Sequence, residues 1–109
     1  MDMLARARRY GEAVALIDEY LGPQVREKVM ERFSQIAGPL QRTGLRDPWE
    51  MIARAAKEAG VGKREIEALR YAFLLRTKEF ERLPKRDELD PEVLALLVEW
   101  GVLSLWPDR

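Results

Sequence analysis

The chain has no cysteine and no histidine among its 109 residues. Without cysteine there is no disulfide, no thiolate metal site and no sulfur nucleophile. Without histidine the commonest general base and the commonest metal ligand are missing as well. Asparagine is also absent. A chain that drops Cys and Asn while keeping Glu, Lys and Arg high follows a thermophile tendency. Serine occurs only at Ser34 and Ser104, and with no histidine a Ser-His-Asp triad cannot be assembled. There is no phosphate loop and no dinucleotide fingerprint. The expectation is a protein that is not an enzyme and carries no cofactor. A metal is not expected either. The carboxylates Asp87, Glu88, Asp90 and Glu92 lie close in sequence but lack the glycine of a calcium loop, and Asp90 serves better as a helix cap.

Long apolar runs are lacking too. No stretch approaches the ~20 residues of a membrane span. No apolar run follows the arginine-bearing residues 1–10, as a signal peptide would require. The expectation is a cytoplasmic protein with no membrane partner.

What is present is 47% apolar and 35% charged residues, too apolar for a disordered chain. The length suits a single domain over residues 1–109. No sustained alternation suggests strands, and apolar residues recur instead at helical spacing. The expected fold is all-α, a compact bundle of about five helices. Leu4, Tyr10, Val14, Ile17 and Leu21 mark a first helix over residues 2–20. A second, with Val25, Val29, Phe33 and Ile36 inward, ends at Gly38-Pro39. Asp47-Pro48-Trp49-Glu50 is the clearest helix start, with an N-cap Asp, a first-turn Pro and an acid at the capping-box position. That third helix stops near Gly60. Ile66, Leu69, Phe73, Thr77 and Phe80 define a fourth over residues 63–83, stopped by Pro84. The fifth starts at Asp90-Pro91-Glu92 and ends near Gly101, a residue suited to the left-handed position past a helix end.

Net charge is zero, but residues 42–86 carry twelve basic and seven acidic side chains, and residues 87–109 one basic and six acidic. A basic middle is a footprint for a polyanion, unless the acidic tail folds against it and cancels it.

Within that middle, Ala56 is a small residue four before Gly60. Val61 is apolar just after the glycine. Ile66 follows six past Gly60 and Leu69 three beyond, and Ala55 and Ala59 fill the remaining semi-buried positions. Residues 52–70 in this respect resemble the helix-turn-helix of prokaryotic DNA-binding proteins. Glu65 and Glu67, and Ile52 where the motif usually begins with a polar residue, depart from the pattern. The resemblance implies a helix-turn-helix-like corner whose second helix lies in a DNA major groove. Gly62, Lys63, Arg64, Glu65, Glu67 and Ala68 would then sit near base edges, with Arg70 further along. Arg54 and Lys57 on the first helix would lie near phosphates.

At 100° per residue, Lys63, Arg64, Arg70, Lys78 and Arg82 also share one stripe of the expected fourth helix. Tyr71 lies within the stripe and could stack on a base. The leading expectation is therefore a non-catalytic, regulatory nucleic-acid-binding protein, with DNA favoured over RNA. The alternative is a small helical subunit of a larger nucleoprotein assembly. Residues 93–106, VLALLVEWGVLSLW, are apolar most of the way round. Such a segment is either the central core helix or an interface to a second copy or another protein. Leu97, Trp100, Leu103 and Trp106 are the candidate interface residues.

Overall fold

A computed structural model describes residues 3–107, and among these every regular element is helical. Five α-helices follow in order: α1 (Met3–Leu21), α2 (Pro23–Arg42), α3 (Pro48–Glu58), α4 (Lys63–Arg76) and α5 (Pro91–Glu99). Short 3-10 turns occur at Phe80–Arg82, Arg86–Glu88 and Leu103–Leu105. The all-α expectation holds. The chain forms two compact units, one ending at Gly62 and one starting at Lys63.

In the first unit α1, α2 and α3 pack pairwise. Ala13, Leu16 and Ile17 from α1, Val29 from α2, and Trp49, Met51, Ile52, Ala55 and Ala56 from α3 form the core. Tyr10 ties all three helices. Its ring meets Phe33 edge-on at 5.5 Å, and its hydroxyl lies 3.0 Å from the Met51 sulfur. Leu4 is 77% exposed, so the buried stripe of α1 begins further along than the sequence spacing suggests. The expected helix start at Asp2 lies outside the described residues.

Gly22 has φ 97° and ψ 162°, a region open essentially to glycine alone, and this separates α1 from α2. The expected end of α2 at Gly38-Pro39 is corrected: the helix passes through Pro39 to Arg42. Proline removes one intrahelical N–H, the one that would bond the Gln35 carbonyl. Both residues are exposed, so water can serve that carbonyl. The bond from Thr43 N–H to Pro39 O at 3.2 Å carries the ladder past the proline.

The start of α3 is as expected. The Asp47 carboxylate accepts from the Glu50 N–H at 3.0 Å, and Pro48 fills the first turn. Its end is a Schellman turn: Val61 N–H donates to Ala56 O at 3.0 Å and Gly60 N–H to Lys57 O at 3.2 Å. Gly60 takes φ 98°, where a side chain is strained.

The expected run of α4 to residue 83 is also corrected. The helix ends at Arg76 in the same type of turn, with Glu79 N–H on Leu74 O at 2.9 Å and Lys78 N–H on Leu75 O at 3.2 Å. The Thr77 hydroxyl, 2.8 Å from Phe73 O, reinforces the stop. Here the left-handed residue is Lys78, at φ 60° the only non-glycine with positive φ among the described residues. A non-glycine residue in this conformation costs about 1–2 kcal/mol. Lys78→Gly is therefore expected to stabilise the protein by about 1 kcal/mol, because the gain exceeds the added freedom of the unfolded chain. The check is a higher urea midpoint at unchanged slope. An unmoved midpoint would mean that Lys78 holds this conformation without strain.

In the second unit α4 is the most buried helix. Ala68, Leu69, Ala72, Phe73, Leu74 and Leu75 are all buried. It packs on α5, which buries Val93 and Leu97 one turn apart while Val98 stays exposed. The core helix of this unit is thus α4 rather than the more apolar C-terminal segment.

Candidate nucleic-acid interface

The first turn of α4 presents Lys63 and Arg64, both exposed. Glu65, Ile66 and Glu67 are half-buried, while Ala68 and Leu69 are fully buried. Ala68, expected near base edges, therefore has no surface to offer. Arg64 is not a free cation. Its Nε lies 3.1 Å from the Glu92 carboxylate and 3.8 Å from that of Asp90. Asp90 is also the cap of α5, accepting from Glu92 N–H at 2.8 Å. At this contact the acidic tail does fold against the basic middle and cancels part of it. Arg54 and Lys57 are exposed on α3, in the first unit.

The expected basic stripe does not exist as one helical face. Because α4 ends at Arg76, Lys78 falls in the left-handed turn and Arg82 in the following 3-10 turn. The chain reversal instead brings Arg82 back toward Arg70. These two arginines, with Glu67, Tyr71, Leu83 and Pro84, line a cleft of about 340 Å³ in the second unit. Arg82 Nη1 lies 3.3 Å from Glu79, whose other carboxylate oxygen is 2.5 Å from the Thr77 hydroxyl. The guanidinium is thereby aimed by a residue that is itself anchored on the end of α4.

Tyr71 does not stand free in a stripe. Its ring meets Trp106 edge-on at 5.7 Å, and the Trp106 indole N–H donates to Pro84 O at 3.2 Å. Burial pushes the Tyr71 phenol above its ordinary pKa, the Glu67 carboxylate adds to this, and Arg70 opposes it. Tyr71 therefore remains a hydrogen-bond donor.

No family model, curated protein or solved structure matches the chain.

Of the expected interface residues, Leu97 and Trp106 are buried, a correction, because their surface is used inside the fold. Trp100 and Leu103 are half-buried. Among the described residues, the exposed large apolar side chains of this unit are Val98 at 59% and Leu105 at 62%, which spacing alone did not single out. Among the described residues no group of three acidic side chains gathers as a metal would require, and no helix is long and apolar enough to cross a membrane.

Proposed function

We propose that the chain is a non-catalytic DNA-binding protein, regulatory in role, that presents the first turn of α4 to duplex DNA. The observation that carries this reading is local. α3 closes on Gly60 in a left-handed turn, and a new helix opens at Lys63 with two exposed cations in its first turn. A glycine-bearing turn of this length between two helices is compatible with a helix-turn-helix, and it is also a common way for a helix to end. Lys63 and Arg64 would meet phosphate or guanine. The test is fluorescence anisotropy of labelled duplex DNA, single-stranded DNA and RNA over a salt series. Duplex preference is expected, with log K falling linearly with log salt. Absence of binding at low salt removes the reading.

A second reading rests on Val98 and Leu105, two large apolar side chains left exposed in the second unit. On this reading the C-terminal segment docks a second copy or a protein of a larger assembly. Light scattering is then expected to give twice the mass of the chain for a homodimer, falling to the single mass in Val98→Asp with Leu105→Asp. An unchanged mass in that variant would exclude these residues as the contact.

A further inference from the structure

The cleft beside α4 combines features that a duplex-reading helix does not need. Two guanidinium groups reach it from separate elements, Arg70 from α4 and Arg82 from the 3-10 turn. Apart from the Glu79 contact, Arg82 has no partner for its N–H groups among the described residues. A planar guanidinium with N–H groups to spare is suited to phosphate oxygens. The same cleft holds a carboxylate, Glu67, which accepts and cannot donate, and an aromatic ring, Tyr71, beside the apolar Leu83 and Pro84. Inorganic phosphate would leave the carboxylate and the ring unused. A purely apolar ligand would leave the arginines unused. The lining asks for an anion, a hydrogen-bond donor and a flat apolar body in one molecule.

We propose that this cleft binds a single nucleoside 5′-phosphate. The phosphate lies between Arg70 and Arg82, a sugar hydroxyl or base amino group donates to Glu67, and the base rests on Tyr71 and the Leu83–Pro84 wall. The cleft's 340 Å³ lies at the low end of the ~300–1,000 Å³ of small-molecule sites. That is room for one nucleotide and not for a duplex, and the nucleotide comes either free or as an unpaired residue of a strand. The site is independent of the helix-turn-helix reading.

The test is a ¹H–¹⁵N titration of the whole protein with adenosine 5′-monophosphate, adenosine, inorganic phosphate and a short unstructured oligonucleotide. The signal to follow is the Trp106 indole N–H, which lies behind the cleft, bonded to the carbonyl of the lining residue Pro84. The monophosphate is expected to shift it, while adenosine and phosphate alone need far higher concentrations. Arg82→Gln, an exposed substitution, should raise the nucleotide Kd by about ten-fold or more, the size of one charge-assisted hydrogen bond, at an unchanged thermal midpoint. Tighter binding of the oligonucleotide with the same Trp106 shift assigns the unpaired strand as source. Weaker oligonucleotide binding assigns the free nucleotide. No Trp106 shift with either, or a shift that persists unweakened in Arg82→Gln, overturns the site. Duplex binding measured on the same variant separates the two readings, because Arg82→Gln leaves Lys63 and Arg64 untouched.

Discussion

Trp106→Ala is expected to cost about 3–5 kcal/mol, the usual range for removing a buried tryptophan. The ring is 8% exposed, packs edge-on against Tyr71 at 5.7 Å and donates its N–H to the Pro84 carbonyl. Truncation would open a cavity under α4 and unseat the chain that carries Arg82. Amide hydrogen exchange should show the loss in α4 and α5 of the second unit, since exchange reports local stability. Trp106→Phe keeps an aromatic ring and gives up the hydrogen bond, so its cost should be nearer 1 kcal/mol. A Trp106→Ala protein as stable as the parent would refute the packing role and return the ring to the interface expected from sequence.

Lys63→Glu with Arg64→Glu is expected to abolish duplex binding. Each phosphate contact adds a salt slope of about 0.9, so losing two near ~0.1 M salt costs about sixty-fold before any repulsion is counted. Arg64 adds a complication that can be measured. In the free protein it sits against Glu92 and Asp90, and to reach DNA it must leave them. Exposed pairs of this kind are worth about 0–1 kcal/mol, so the ion pair tempers the affinity without preventing binding. A glutamate at 64 would face those two carboxylates and strain the start of α5. Lys63→Gln with Arg64→Gln is the milder control, and it should reduce the salt slope by about 2 while the helices stay intact. Unchanged duplex affinity in both variants would sink the helix-turn-helix proposal.

Helix starts were the most legible part of the sequence because their chemistry is local. An aspartate followed by proline and an acid announces α3 and α5, and both carboxylates accept the expected type of backbone bond. The stop at Gly60 was legible for the same reason. The end of α4 was not. Its left-handed residue is a lysine, which carries no turn signature, and the apolar spacing continues through Thr77 and Phe80 as if the helix did. The passage of α2 through Pro39 was equally hidden, because proline ordinarily ends a helix and nothing in the local sequence announces that the chain continues to Arg42. The C-terminal segment drew attention by its apolarity, yet Ala68, Ala72 and the Phe73–Leu75 run make α4 the buried helix. The cleft could not be read from sequence at all. Arg70 and Arg82 are twelve residues apart, and only the turn at Lys78 brings them to one wall.

The helix ends have a kinetic consequence. The bonds that close α2, α3, α4 and α5 run from Leu45 to Leu40, Val61 to Ala56, Glu79 to Leu74 and Val102 to Leu97, each within a span of six residues. The stop signal of each of these helices is thus carried next to it in sequence. At 11, 14 and 9 residues, α3, α4 and α5 owe their stability to packing, but where each one stops is decided locally. Chains dominated by such short-range contacts fold in roughly microseconds to milliseconds, leaving their apolar faces uncovered only briefly.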